Sequence, residues 1–310
     1  LNVIAVGNIE RYGASEDDGV EGGKLGLDGR LDGPEGISLR GGTSVTSSHL
    51  GRDDDLDLGR GFERIPVKQY RANLKYEDAR SDRIPIAIEA QGIVLDYDSV
   101  QGVSFDGSDR SVGTLDGEIG IALGLPVAFT LNPGVQRVVY PDSTSSDSTR
   151  YSLGVGASWD DNEVTAINGL LGGSFRSLDD GGNSIDLLAR LDALWNVTPI
   201  MTLSANASVE NTDTSQANAS SELKQRAGLR LDYDPTERLI LTVGTRFERS
   251  EVEGSNRQDD KVVFNVGATY LLNEYAFVRA GVQHTDQATN GGGRAYTDTT
   301  GLVSLGFKLC

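Results

Sequence analysis

Between Leu223 and Phe247 charge recurs at alternate positions. Lys224, Arg226, Arg230 and Asp232 share one parity, while Leu223, Ala227, Leu229, Leu231 and Tyr233 share the other. Guanidinium and ammonium groups with carboxylates two residues away are poorly arranged for making or breaking bonds. They are suited to solvating and steering ions and polar solutes along a wall. The same parity elsewhere supplies Lys24, Arg30, Arg71, Lys75, Glu118, Arg190, Arg246 and Arg279, together with Asp28, Gln69, Asp186, Asp192 and Lys308. Any one of these reads most simply as a paired or solvated charge. As a set they describe a polar lining.

Two other groupings could carry chemistry. Asp53, Asp54, Asp55 and Asp57 lie in the connection Leu50 to Ile65 and offer hard oxygen donors. Folded inward they would narrow a passage and favour cations; folded outward they could hold divalent ions near lipopolysaccharide. The run has no Gly at the sixth position of a calcium loop and no closing Glu at the twelfth, so no metal site is assigned and a solvated acidic loop is the default. The two histidines, His49 and His284, have Ser47, Ser48 and Asp286 nearby in sequence. Neighbours on a strand rarely form a Ser-His-Asp site, and no Gly-x-Ser-x-Gly, His-Glu-x-x-His or paired-Cys motif is present. The expectation is a protein that is not an enzyme and carries no cofactor.

A period of two belongs to strands, whose side chains point alternately to opposite faces. Here the alternation persists for about ten residues per segment, the length a tilted strand needs to cross a membrane. A sandwich strand is shorter and turns its polar face to solvent. Composition agrees: 37% hydrophobic residues, 39 Gly and a mean hydropathy of −0.30 leave little to fill a soluble core. No run of 18 apolar residues forms a membrane-spanning helix. A formal charge of −18 argues against nucleic acid as a partner. One cysteine, Cys310, excludes an internal disulfide. No signal peptide is legible at Leu1-Asn2-Val3, as expected if one has been removed.

The expected fold is all-β: one closed antiparallel transmembrane β-barrel over residues 1–310, of about 16 strands within a range of roughly 14 to 18. Segments are expected near 1–10, 22–32, 36–49, 66–77, 83–98, 110–122, 126–140, 150–159, 163–177, 183–196, 199–212, 219–233, 238–253, 260–271, 275–288 and 297–309. Short connections such as Gly33-Pro34-Glu35, Val197-Thr198, Asp234 to Glu237 and Leu272-Asn273-Glu274 alternate with mostly longer ones rich in Asp, Ser and Gly. Leu178 to Gly182 is the tight exception. Tyr76, Trp159, Trp195, Tyr233 and Tyr270 each precede a short turn and Phe307 ends the last segment, forming an expected aromatic girdle at one membrane interface. Three places break the pattern. Segment 1–10 mixes its faces, 83–98 changes phase near Gly92 as at a bulge, and Asn132-Pro133-Gly134 interrupts 126–140. Ile185 to Trp195 also fits a helical period, but its neighbours and the preceding Asp-Asp-Gly-Gly favour a strand.

Arg238 to Glu248, Lys261 to Tyr270, Tyr275 to His284, Tyr296-Thr297-Asp298 and Leu302 to Leu309 resemble the β-barrel porin family type 2. The resemblance covers about the last 160 residues and rests on strand rhythm, Asp/Ser-rich connections and the terminal strand. The family occurs in the outer membranes of Gram-negative bacteria, often beside exopolysaccharide genes. The resemblance implies an outer-membrane channel and carries over no catalytic residue. Many bacterial barrels end on an aromatic residue, whereas this chain ends Leu309-Cys310, and no role is assigned to Cys310.

The resulting expectation is passive diffusion of ions and small polar solutes through an outer-membrane pore. The alternatives are an exopolysaccharide secretion channel and a surface scaffold or adhesin with a closed lumen. Expected partners are outer-membrane lipid, lipopolysaccharide, the barrel-assembly machinery, and small polar solutes or polysaccharide. Oligomeric state is left open.

Overall fold

The structure, a computed structural model, describes residues 2–10, 20–49, 65–81, 83–100, 104–123, 126–141, 147–161, 164–212, 221–252, 256–290 and 295–307. Among these residues the regular structure is strand, apart from two short 3-10 turns, Pro34–Gly36 and Asp106–Ser108. The strands are β1 (Asn2–Glu10), β2 (Val20–Asp32), β3 (Ile37–His49), β4 (Pro66–Asp78), β5 (Ile86–Tyr97), β6 (Arg110–Ala122), β7 (Val127–Val139) and β8 (Ser148–Asp161). They continue with β9 (Thr165–Leu178), β10 (Asn183–Thr198), β11 (Met201–Thr212), β12 (Glu222–Thr236), β13 (Leu239–Val252), β14 (Gln258–Leu271), β15 (Ala276–Asn290) and β16 (Tyr296–Phe307). Hydrogen-bonded neighbours follow chain order from β1 to β16, and every described ladder is antiparallel. The segment Ile185 to Trp195 lies wholly in β10.

The chain divides into two compact units. The first comprises Leu1–Val155, Gly172–Asp186 and Ser215–Ser220; the second comprises Gly156–Leu171, Leu187–Thr214 and Ser221–Cys310. In the first unit the ladders β1 to β7 run from Asn2 opposite Asp28 to Ser111 opposite Val139, interrupted between Asp116 and Ile119 of β6. In the second unit the ladders β10 to β16 run from Ala189 opposite Val209 to Gln287 opposite Tyr296, with register shifts at Asn196/Thr198 and Tyr233/Thr236.

Alternation determines what each face carries. In the second unit Leu229, Tyr233, Val243, Phe247, Val262, Phe264, Val266, Tyr270 and Val282 occupy one face of β12–β15 and are exposed. In the first unit Leu25, Leu27, Leu31, Val45, Tyr70, Leu74, Ile86, Ile88, Leu115 and Ile119 do so on β2–β6. Forty-five large hydrophobic side chains are exposed and nine hydrophobic residues are buried among those described. Ile185 is 84% exposed and Val303 77%. Each such side chain forgoes roughly 1.5–3 kcal/mol if left in water, and an apolar patch of this extent marks a surface meant for a membrane or a partner. Antiparallel ladders satisfy the backbone within the sheet, which is the condition for strands to sit in hydrocarbon.

The turns depart from expectation in instructive ways. The turn expected at Asp234 to Glu237 closes later, at Glu237-Arg238. Asp234 N–H donates to Ile200 O (2.8 Å), and β12 continues to Thr236 across a register shift that accommodates Pro235. Thr236 Oγ1 then accepts from Leu239 N–H (3.1 Å). Likewise Val197-Thr198 belongs to β10, and the turn is Pro199-Ile200, because Asn196 N–H finds Val164 O at 2.8 Å. The turn after β2 needs Gly36 as well as Gly33 to Glu35: Glu35 and Gly36 have φ of 60° and 86°, and Gly33 N–H donates to Ile37 O. Asn132-Pro133-Gly134 does not end β7. Paired positions stop at Leu131 and resume at Gly134, and the Pro133 ring lies where Gly117 has no side chain. The phase change at Gly92 is not a bulge, since the β4–β5 and β5–β6 ladders pass it without a shift. Beyond it, Ile93, Leu95 and Tyr97 turn apolar side chains to the face that is elsewhere polar.

Candidate functional site

All eleven charged residues expected as a lining fall on the face opposite the exposed apolar side chains. In the first unit Lys24 and Arg30 of β2 share this face with Arg40 of β3, with Arg71, Lys75 and Glu77 of β4, and with Glu118 of β6. Register brings Arg40 opposite both Arg30 and Lys75, which would repel. Carboxylates relieve this: Arg30 Nε pairs with Asp32 at 2.5 Å, Lys75 Nζ with Glu77 at 2.7 Å, and Arg40 approaches Glu77 at 3.8 Å. Ser38 Oγ–H also donates to Glu77 (2.8 Å).

The second unit carries the denser network. Arg226 bridges two neighbouring strands, with Nη1 at 2.5 Å from Glu210 of β11 and Nε at 2.7 Å from Glu248 of β13. Arg190 of β10 reaches Glu210 at 4.0 Å, and Lys224 pairs with Glu222 at 2.9 Å. The ladder extends this line through Lys261 opposite Glu248 and Gln287 opposite Lys261. Nearer the short turns Arg230 pairs with Asp232 at 2.8 Å, and Asp232 accepts from Thr242 Oγ–H at 2.7 Å. Arg246 lies opposite Gly228 and Val263. Arg279 sits 5.8 Å above the Phe277 ring, which itself covers Gly306. The side-chain amides of Asn206 and Asn265 occupy the space that a side chain at Gly228 and Gly244 would need.

The exposure of this face is graded along the strands. Towards the short turns its side chains are open, with Arg30 52% and Arg230 60% exposed. Towards the long connections they are covered. In the first unit Ile65, Val67, Tyr97 and Val100 form a buried cluster with Leu95 and Phe105 against it. In the second, Glu222, Ser250, Arg257, Thr285 and Gln287 are buried, and Arg257 pairs with Asp259 at 2.7 Å with side chains only 7% and 13% exposed.

The girdle aromatics Tyr76, Trp159, Trp195, Tyr233 and Tyr270 each sit within three residues of the strand end that precedes a short turn. All but Tyr76 are more than a third exposed, and Tyr76 is partly so. Phe307 ends β16 opposite Ala276. His284 lies on the apolar face, its Nδ1 2.8 Å from Thr299 Oγ1, while Asp286 accepts from Thr297 Oγ–H at 3.2 Å. His49 lies opposite Pro66 at the end of β3. Asp53, Asp54, Asp55, Asp57, Lys308 and Cys310 lie outside the described residues. No group of three or more His, Cys, Asp or Glu able to hold a metal occurs among the described residues.

Sequence reasoning missed the strand-to-strand bridge Glu210–Arg226–Glu248 and the buried pair Arg257–Asp259. Lys224 and Arg226 were visible by parity, but their partners sit across ladders whose register no single strand reveals. The inward apolar cluster did leave a signal, the phase change at Gly92.

Known proteins share this architecture. The FrpB iron transporter of Neisseria meningitidis (F5-1 variant) superposes with a TM-score of 0.60 at 9% identity, covering 93% of this chain and 58% of that one. Its F3-3 variant gives 0.56 at 11% identity, covering 90% and 53%. The copper transporter OprC gives 0.56 at 11%, covering 89% and 54%. At such identity the likeness shows the fold alone, and the chain spans little more than half the length of these transporters. No curated protein matches the chain. A family model described as "Putative beta-barrel porin 2" matches residues 1–309, so the similarity noted in the C-terminal half extends to the first half as well.

Proposed function

The chain belongs to the β-barrel porin 2 family, and from that premise we propose that its sheet closes into a barrel in a bacterial outer membrane and forms a water-filled pore. Ions and small polar solutes cross it by passive diffusion. The observation that carries this reading is the division of the two faces. One is apolar and exposed, and the other is charged and exposed towards its short-turn end. A closed sheet with that division presents hydrocarbon to lipid and ion-solvating groups to water. Its lining is Lys24, Arg30, Arg71, Lys75, Glu118, Arg190, Lys224, Arg226, Arg230, Arg246 and Arg279. The girdle of Tyr76, Trp159, Trp195, Tyr233, Tyr270 and Phe307 sits at the headgroup level on the short-turn side, the periplasm. Lipid, lipopolysaccharide and the barrel-assembly machinery are the partners such a barrel requires.

The test is single-channel recording of the refolded protein in a planar bilayer under a salt gradient. Discrete conductance steps are expected, and the sign of the reversal potential reports which wall charges dominate. Silent insertion, verified by heat-modifiable gel mobility, would overturn the open pore and leave a scaffold with a closed lumen or an exporter awaiting partners.

A further inference from the structure

We infer that the apolar face of the first unit carries a groove that seats one acyl chain of lipopolysaccharide, with Arg137 at its headgroup end. The inference deepens the partnership with lipopolysaccharide proposed above. It rests on the outer-membrane reading, because this face meets lipid only if the sheet closes in that membrane.

The ladders set Thr43, Ala72, Gly92, Gly113 and Arg137 opposite one another in turn, on the five neighbouring strands β3 to β7. At about 4.8 Å between strands this row is about 19 Å long. Its first four members have small side chains or none, and a Cβ at Gly92 or Gly113 would meet no atom within 4 Å. Val45, Tyr70 and Val94 stand in line along one side of the row. Leu74 and Leu115 stand exposed on the other. The result is an apolar groove of about 480 Å³. An apolar cavity of roughly 150 Å³ holds one benzene, so the volume suits a single hydrocarbon chain. Only one row wide, it has no room for a helix about 10 Å across with its side chains. In the second unit the corresponding kind of row, Leu231, Val243, Val266 and Val282, is filled at every position.

The groove also has a direction. Arg137 is third from the long-connection end of β7 and Gly113 is fourth from that of β6. Gly92 is sixth on β5, and Ala72 and Thr43 are seventh on β4 and β3. The row thus starts near the long-connection rim and descends to mid-strand, as a lipid does from head to tail. That rim faces outward in the present reading, towards the leaflet that holds lipopolysaccharide. Charge gathers at the upper end: Arg137 Nη1–H donates to Thr149 Oγ1 (2.9 Å), and the guanidinium pairs with Asp147 (3.2 Å) and Asp179 (2.7 Å). One cation beside two carboxylates complements a phosphate that arrives with divalent cations. The guanidinium takes phosphate oxygens, and the carboxylates take the hard cation.

The experiment titrates the refolded full chain with rough lipopolysaccharide in Mg²⁺ and counts bound lipid by native mass spectrometry. It compares the wild type with Gly92→Leu/Gly113→Leu, which fills the groove where nothing stands in the way, and with Arg137→Gln. The filled variant should bind lipopolysaccharide at least about tenfold more weakly, the loss expected when some two methylenes lose their seat. Its conductance should match the wild type, because neither glycine lines the polar face. Arg137→Gln and chelation of Mg²⁺ should each weaken binding as well. Gly92→Leu alone should act in the same direction by less, and it keeps the test decisive if the double variant fails to fold. Equal binding by wild type and filled variants, all heat-modifiable and conducting, would overturn the inference and leave the pore reading intact. Phosphatidylethanolamine bound as tightly as lipopolysaccharide would overturn the choice of lipid. A filled variant that loses an oligomer but keeps its lipopolysaccharide would assign the groove to a second copy of this chain and overturn the inference. A wild type that fails to insert into a membrane would overturn both readings.

Discussion

The long-connection ends of the polar face are sealed in two different ways. In the first unit hydrocarbon does it: Ile65, Val67, Tyr97 and Val100, with Leu95 and Phe105 around them. In the second, polar and charged groups do it: Glu222, Lys224, Ser250, Arg257, Asp259, Thr285 and Gln287, with Thr289 Oγ–H donating to Asp259. Hydrocarbon packing gains from area and tolerates small errors of direction. An ion-pair network gains only where each charge meets its partner, and it loses more when one partner goes. The same face of one fold can thus be closed by volume or by geometry, and the two solutions should fail differently.

The largest difference is expected at Arg257. Arg257→Ala should cost about 3 kcal/mol in denaturant unfolding in detergent, since it leaves Asp259 buried without its cation. Intrinsic fluorescence is a convenient probe, because both tryptophans, Trp159 and Trp195, lie in the second unit. The paired replacement Arg257→Met/Asp259→Leu should recover most of that loss; if it is as damaging as the single variant, the comparison of volume with geometry breaks down. Val67→Ala is next, at about 2 kcal/mol for two buried methyl groups and the space they leave, and it should be the same in low and high salt. Glu248→Gln comes third, at about 1 kcal/mol, because Arg226 keeps Glu210 and the pair is partly exposed. Its effect should shrink as salt is raised, and a salt-independent loss would mean that packing rather than charge is at stake.

The smallest effect is expected at Asp179, just beyond β9. The hydrogen bond from the Arg137 guanidinium (2.7 Å), reinforced by its charge, holds this carboxyl below its ordinary pKa, against a small opposing effect of burial. A depressed folded-state pKa means that the pair contributes stability above the unfolded-state value, near 4, and that this contribution is lost as pH falls through the folded-state value. Asp179→Asn should therefore lower Tm slightly at neutral pH and converge with the wild type in acid. Curves that stay parallel down to low pH would remove this pair from the account of acid sensitivity.

Strand positions were legible because a two-residue period survives in nearly every segment, and Leu223 to Tyr233 shows it most cleanly. Face assignments followed from the same parity, which is why Lys24 to Arg279 all fell together. Turns were less legible. Asp234-Pro235 carries strong turn chemistry, yet Asp234 found a backbone partner in the neighbouring connection and the strand ran on. At Gly92 the pattern was read correctly as a change and wrongly as a bulge. Periodicity alone does not distinguish a strand that slips from one whose surroundings change, and here the surroundings changed. The Glu210–Arg226–Glu248 bridge required register across three strands, information no single segment holds.

Because each strand pairs with the next in the chain, every hairpin can form from residues already near one another. Within each unit no described ladder waits on a partner from a distant part of the chain. β2 can pair with β3, and β12 with β13, as soon as the turn between them is made, and the entropy such a hairpin gives up is only that of a short loop.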